Sequence, residues 1–362
     1  MPMRQRPGLS ASRREGYRHS RLAAPACVAA VIGIVLILAT ACGSSGSSTS
    51  PGSSGSSTSS GSLVGKRIAI IEHYADPSFW PSVVNGVKAV GAQYKWKISV
   101  LNSNGDGSLE ATNVTNVLSG QFDGVVIGTT STSGSYADLS RLKSAGIPVV
   151  CVDSCATPSE SPKVAIRWTY TSPTDLGSDV GAAAVSYIKS KLGGKATIGV
   201  VDCDSLGPVC SDRHTAINAQ LKALPGGKVV ATVDASMDSQ VSSVVDMLTA
   251  NPGINVIVAN NEGGATSAIG AIKQMHLEGK VIVFGVDMTP PIAQALLAQP
   301  PILTYSVGQN AYQEGEIAAQ TLIDKWRGQT ISPFQYTIPP VPFSRSNSAA
   351  IEAYLRSPLR VL

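Results

Sequence analysis

From Lys66 onward, short runs of apolar and β-branched residues alternate with longer segments in which apolar residues recur at helical spacing. A strand buried on both faces reads as a near-continuous apolar run, and a helix lying on such a sheet shows the three-to-four period, so the alternation predicts parallel sheets covered by helices. The strands expected are Arg67–Ile71, Lys97–Leu101, Gly124–Ile127, Pro148–Val152, Val164–Trp168, Thr197–Val201, Lys228–Val233, Val256–Ala259, Val281–Val286 and Leu303–Val307. Helices are expected at Val83–Tyr94, Asp138–Ala145, Asp175–Leu192, Val241–Ala250, Ala265–Met275 and Ala311–Trp326. Ten strands exceed one compact doubly wound sheet, so the pattern predicts an α/β protein with two doubly wound parallel-sheet lobes. A break falls near Tyr170–Pro173, where Thr171-Ser172-Pro173-Thr174-Asp175 reads as a connection followed by an N-capped helix. Each half opens with a strand, a polar turn and a long helix.

The first 41 residues follow another grammar. Arginines run up to Arg21, an apolar stretch spans Val28 to Ala39, and small residues follow, the order of a signal peptide. The apolar stretch falls short of the roughly 20 residues a bilayer span needs. The run Leu38-Ala39-Thr40-Ala41-Cys42-Gly43 resembles a bacterial lipobox, with Ala39 at the position that usually holds an aliphatic residue. That resemblance implies lipidation at Cys42 and residence at the outer face of the cytoplasmic membrane. Ser12-Arg13-Arg14 matches a twin-arginine signal in part, with Gly16 where a bulky apolar residue is expected, so both export routes stay open. Residues 42–62 are almost wholly Gly, Ser and Thr after the cysteine, a flexible coil suited to tethering a folded body.

The formal charge of +4 comes from this leader. Six arginines against one glutamate lie in residues 1–41, and without them 22 basic and 23 acidic residues remain. A nearly neutral body without a basic cluster gives no electrostatic footprint for nucleic acid. Cys151, Cys155, Cys203 and Cys210 form two close pairs, as an oxidising compartment allows. Disulfides Cys151–Cys155 and Cys203–Cys210 are the simplest assignment, with cross-pairing left open. The spacings are not those of a zinc ribbon and no histidine accompanies them, so no metal is expected.

In open parallel sheets, ligands bind beyond the carboxyl ends of the strands. The residues there are strongly polar: Glu72-His73-Tyr74-Ala75-Asp76-Pro77-Ser78-Phe79-Trp80, Thr129-Thr130-Ser131, Asp153-Ser154, Asp202, Asn260-Asn261-Glu262, Asp287 and Gln309. Carboxylates and amides offer paired hydrogen bonds to neighbouring hydroxyls, and an aromatic face covers the C–H side of a sugar ring. Any single Asp or Ser after a strand also serves as a helix N-cap, and Phe79 and Trp80 also serve as core contacts.

From Lys66 to about Gln329 these residues resemble the ribose-type (type I) periplasmic binding proteins of sugar importers. Asp76-Pro77-Ser78-Phe79 matches in part the family's Asn-Pro-aromatic-aromatic segment, Asp153-Ser154 its Asp-Arg, and Val258-Ala259-Asn260-Asn261-Glu262 its Asn-Asp strand end. Phe284-Gly285-Val286-Asp287 matches its Gly-x-Asp and Ser306-Val307-Gly308-Gln309 its last crossing. The resemblance implies ligand contact by Asp76, Phe79, Trp80, Thr129, Asp153, Ser154, Arg213, Asn261, Asp287 and Gln309. It implies hinge crossings at Thr169–Ser172, Gln309–Asn310 and Ile331–Pro333, hence a first lobe of residues 63–170 plus 310–331 and a second of 171–309 plus 332–362. Ser78 and Ser154 replace a stacking aromatic and an arginine of the family, and the second-lobe arginine is replaced near Ser211 or displaced to Arg213. Three carboxylates with at most one guanidinium disfavour anions, so a neutral sugar or polyol is expected.

The resemblance further implies a monomer, no cofactor, and an ABC importer permease as partner. A sensor for a membrane receptor, or a binder of an amine, nucleoside or signalling molecule, is the alternative. No G-x-G-x-x-G after a strand, G-x-S-x-G, G-x-x-x-x-G-K-[ST] or H-E-x-x-H occurs, so no enzyme is expected.

Overall fold

The computed structural model describes residues 62–75, 79–236 and 240–357. The expected signal peptide, Cys42, the tether up to Gly61, and Asp76 lie outside the described residues. Two six-stranded sheets carry the described chain. The first holds β1 (Arg67–Glu72), β2 (Lys97–Asn102), β3 (Gly124–Ile127), β4 (Val149–Val152), β5 (Arg167–Thr171) and β11 (Gln335–Ile338). The second holds β6 (Ala196–Asp202), β7 (Gly227–Asp234), β8 (Val256–Ala259), β9 (Ile282–Val286), β10 (Leu303–Gly308) and β12 (Val341–Ser344). Their orders, β11-β5-β4-β3-β1-β2 and β12-β10-β9-β8-β6-β7, are the same pattern used twice. Strand pairs are parallel except β12, which runs antiparallel to β10. In each lobe the winding reverses beside the first strand, between β1 and β3 and between β6 and β8, and such a switch point opens a crevice at the strand ends.

The helices are α1 (Phe79–Gly91), α2 (Gly107–Ser119), α3 (Tyr136–Ser144), α4 (Ser161–Val164), α5 (Pro173–Lys191), α6 (Pro208–Lys222), α7 (Val241–Ala250), α8 (Glu262–Gln274), α9 (Pro290–Leu297), α10 (Ala311–Trp326) and α11 (Ser348–Arg356). Among the described residues none is long and apolar enough to cross a membrane. Each sheet is covered on both faces by an apolar layer. Ile68, Ile70, Val126 and Val150 pack with α1 and with Ala318 and Leu322 of α10, whereas Leu139, Val114 and Ile127 fill the other face. Fully burying one such side chain contributes roughly 1.5–3 kcal/mol. The chain therefore leaves β10 in the second sheet and returns to the first lobe as α10.

Two expectations are corrected. The apolar run at Val164 does not begin the fifth strand. Ser161–Val164 turns as the short α4, and pairing starts at Arg167. The last crossing lies at Pro339–Pro340, not at Ile331–Pro333, because Gln335–Ile338 pairs with β5 as an edge of the first sheet and Val341–Ser344 joins the second. Pro339 cannot donate to a ladder, which suits an edge where one strand must stop. Residues 332–338 thus run with the first lobe. The helices α2, α6, α9 and α11 were also not anticipated; α2 begins at the cap Asp106, whose carboxylate accepts from Ser108 and Leu109 N–H.

Glycine sets how closely the helices cross. A Cβ on Gly315 of α10 would lie 2.1 Å from the Val83 carbonyl oxygen of α1, and one on Gly86 would lie 2.1 Å from that of Tyr312. In the second lobe a Cβ on Gly177 of α5 would lie 2.2 Å from the Arg213 carbonyl oxygen of α6. These backbone-to-backbone contacts fix the helices that carry Glu314 and Arg213.

Candidate functional site

Corresponding strands of the two lobes, β4 and β9, each end in an aspartate. Asp153 N–H donates to the Thr169 carbonyl at 3.0 Å, and Asp287 N–H donates to that of Val307 at 2.7 Å. Both residues adopt left-handed backbone, with φ of 62° and 71°. Aspartate enters that region more readily than most residues, and the turn takes the chain sharply out of the sheet at the crevice.

Asp287 is gripped by its surroundings. Gln309 Nε2 donates to Oδ1 at 2.7 Å, and the Glu262 N–H, at the first residue of α8, donates to Oδ2 at 3.2 Å. Arg213 Nη1 stands 3.9 Å from Oδ2 and donates to the Asn260 carbonyl at 3.1 Å. The guanidinium is buried, its side chain 4% exposed. Asn260, also buried, donates through Nδ2 to the Cys210 carbonyl at 2.9 Å. Asn261 caps α8: its Oδ1 accepts from Gly264 N–H at 2.9 Å, and its Nδ2 donates to the Ser236 carbonyl at 2.9 Å. The structure thus places Arg213, Asn261, Asp287 and Gln309 together, with Asn260 and Glu262 between them.

The first-lobe wall is built otherwise. Ser154 Oγ donates to the Thr129 carbonyl at 2.9 Å, tying the ends of β3 and β4, and the Thr129 hydroxyl is buried without a partner. His73 Nε2 stands 3.7 Å from Asp153 Oδ2. The imidazole packs edge-on to Tyr74 and Trp80, and a Cβ on Gly128 would come within 2.7 Å of its Nδ1. Burial pushes the His73 pKa down to about 3, so the ring is neutral at ordinary pH. Trp80 is 1% exposed and Phe79 8%, both within the core over β1 and β3. Their rings face protein, so they support the wall from behind instead of offering an open stacking face.

Sequence reasoning placed His73 and Asn260 in the polar strand-end runs without assigning them a contact, and it passed over Glu314. His73 stood within the polar run after β1, and its position directly behind the strand was the available signal. Glu314 sits inside a helix, where nothing in the periodicity separates it from a solvated charge.

Asp202, Asp204 and His214 offer ligand atoms within 4.8 Å of one another. His214 Nδ1 lies 2.8 Å from Asp204 Oδ2 and 3.9 Å from Asp202 Oδ2. Burial, then the Asp204 charge, raises the Asp202 pKa. The contacts make this a hydrogen-bonded cluster at the end of β6. Both expected disulfides are present, Cys151–Cys155 around Asp153 and Cys203–Cys210 between β6 and α6. Each stays within one lobe.

Two similar α/β lobes joined by three crossings, each with polar residues at its strand ends, define a two-lobed ligand-binding protein. The family model described as periplasmic binding protein domain matches residues 68–330, and the chain belongs to that family of solute-binding proteins, which are not enzymes. The ABC transporter periplasmic-binding protein YphF of Escherichia coli K12 is 28% identical over 236 residues, covering 64% of this chain and 72% of its own. Among solved structures, an ABC transporter solute-binding protein of Actinobacillus succinogenes 130z with bound D-allose aligns with a TM-score of 0.71 at 20% identity, covering 78% of this chain and 99% of the other. One of Bacillus halodurans C-125 with bound myo-inositol aligns at 0.70 and 20% identity, covering 81% and 99%. The arabinose transporter component of Shewanella sp. ANA-3 reaches 0.72 at 18%, covering 81% and 98%. At these identities the likeness is one of fold.

Proposed function

We propose that this protein is exported, anchored by a lipid on Cys42, and captures a small neutral sugar or polyol between its lobes for delivery to an ABC importer. The observation that carries this reading is the matched pair of strand-end aspartates, Asp153 and Asp287, set in the same backbone conformation after corresponding strands of the two sheets. Two carboxylates at one crevice suit a ligand rich in hydroxyl donors, and like charge disfavours an anion. Thr129, Arg213, Asn261 and Gln309 complete the assigned wall, and the family resemblance adds Asp76 to the candidate contacts. The sugars and polyols bound by proteins of the same fold give the first panel to try.

The test is a thermal-shift screen of the purified body from Ser62 onward against D-allose, myo-inositol, pentoses, hexoses and a set of amines. A ligand that binds only the folded state raises the melting temperature by mass action. A shift with one neutral compound, lost in Asp287→Ala, supports the assignment. Shifts with amines alone would replace the sugar with a cation. For the anchor, Cys42→Ser should move the protein from the membrane fraction to the soluble one, and unchanged fractionation would remove the lipid from the proposal.

A further inference from the structure

Glu314 lies in the first turn of α10 and is fully buried. An ionised carboxylate is costly in such a place. Its Oε1 accepts from the Thr171 N–H at 3.1 Å and lies 3.2 Å from the Thr171 hydroxyl, where β5 leaves the first sheet. The same hydroxyl bonds the Gln309 carbonyl, where the chain leaves β10, and Gln309 Nε2 reaches Asp287 at 2.7 Å. On the other side stands Asp153. A chain of polar contacts thus runs from the second-lobe aspartate through both crossings to the first-lobe aspartate.

The titratable groups around Glu314 are few. Asp153 faces it from the end of β4, with His73 from the end of β1 behind it. The core shared by α1 and α10 brings Phe79, Trp80 and Val83, none of which carries charge, and β5 brings the Thr171 hydroxyl. Burial first, and the Asp153 charge second, push the Glu314 pKa well above the usual carboxylate range against the opposing hydrogen bonds from Thr171.

We propose that Glu314 is the hinge residue of this binding protein: it locks the two crossings to one another and couples the position of Asp153 to that of Asp287, so that ionising it loosens the hinge. Its functional consequence rests on the ligand-capture reading above, and its structural consequence does not. Glu314→Gln keeps the volume and the acceptor for Thr171 but cannot ionise. Glu314→Leu and Thr171→Val each break the lock.

The experiment measures, on ligand-free protein, the folding equilibrium from pH 5 to 9 and amide exchange at Thr171. A carboxyl whose folded pKa is raised stabilises below its unfolded value, near 4.5, and that stability is lost as pH rises toward the folded pKa. The folding constant of wild type relative to Glu314→Gln should therefore fall by up to about tenfold per pH unit. The protection of the residue-171 amide, its exchange corrected for the base-catalysed rise with pH, should fall with pH in wild type, hold in Glu314→Gln, and be low at every pH in Thr171→Val or Glu314→Leu. Identical pH profiles for wild type and Glu314→Gln overturn the proposal, as does high protection of that amide in Thr171→Val should the leucine variant not fold. When a ligand is in hand, its affinity should weaken with pH in wild type and not in Glu314→Gln. Failure of every ligand sinks the capture reading and leaves the ligand-free arms to judge the hinge.

Discussion

Asp287 and Asp153 occupy the same place in two copies of one topology, and their surroundings solve the burial of a carboxylate in different ways. The second lobe surrounds Asp287 with donors: an amide from Gln309, a backbone N–H at the start of α8, and the buried Arg213. The first lobe sets Asp153 beside groups whose own charge burial disfavours, a neutral His73 and a Glu314 whose pKa burial pushes well above the usual carboxylate range. One wall is held by charge-assisted bonds, whose geometry is strict and whose strength varies little with pH. The other is held by groups poised to change charge, which makes it the half that responds to conditions.

The largest effect expected from breaking this contrast is at Asp287. Replacement by alanine leaves the Arg213 guanidinium buried without its ion partner, a change that costs about 3 kcal/mol or more. Denaturant unfolding should show that loss, and calorimetry should show ligand affinity reduced by roughly a hundredfold or more. Asp153→Ala should lose affinity comparably but cost less stability, since it relieves the charge that raises Glu314. Equal destabilisation by both variants would mean the two walls are built alike after all.

Next in size are the helix crossings. Gly177→Ala and Gly315→Ala each drive a Cβ into a carbonyl oxygen at 2.2 and 2.1 Å, which backbone must relieve, and overpacking of this kind costs about 1–3 kcal/mol. Their consequences for the site should differ. Moving α6 shifts Arg213, so Gly177→Ala should also weaken ligand binding about tenfold. Moving α10 shifts Glu314, so Gly315→Ala should alter the pH dependence of stability with less effect on affinity at neutral pH. Removing the short-loop disulfides by paired Cys→Ala changes should cost about 2 kcal/mol each. Both should reduce affinity as well, the Cys151–Cys155 pair because it brackets Asp153 and the Cys203–Cys210 pair because it holds the start of α6, which carries Arg213.

Most of the architecture was legible because a sheet buried on both faces writes itself as apolar runs. Nine of the ten expected strands fall on observed ones, and the disulfides are the two local pairs of the simplest assignment, between which and cross-pairing the spacing did not decide. The strands that escaped, Gln335–Ile338 and Val341–Ser344, are short edges with half their residues turned to solvent or flanked by proline, so they lack the run that marks a buried strand. Val164 misled for the opposite reason, being apolar because the loop before β5 is itself packed against the core. Among the candidate residues, the placement of Asp153, Asp287 and Gln309 at strand ends was readable from the pattern. The roles of His73 and Glu314 were not, because burial defines them and burial of a lone polar residue leaves no periodic trace.

The position of the pH maximum is the most diagnostic of the comparison. His73 has its pKa lowered from 6.5 to about 3, so the unfolded chain binds a proton there that the folded chain refuses. Stability from this group is full above pH 6.5 and falls as pH drops toward 3, at up to about 1.4 kcal/mol per unit. Glu314 acts in the opposite sense, losing stability as pH rises from about 4.5, and Asp202 adds a contribution of the same sign. Between about pH 4.5 and 6.5 the His73 and Glu314 slopes oppose one another, since folding releases one proton and takes up another. Stability should therefore peak across that window and fall on both sides. In a series of melts, His73→Gln should move the maximum to lower pH and Glu314→Gln should move it to higher pH, while Asp287→Asn should lower the curve without moving its peak. A peak that shifts with Asp287 instead would place the pH response in the second lobe and reverse the contrast between the two walls.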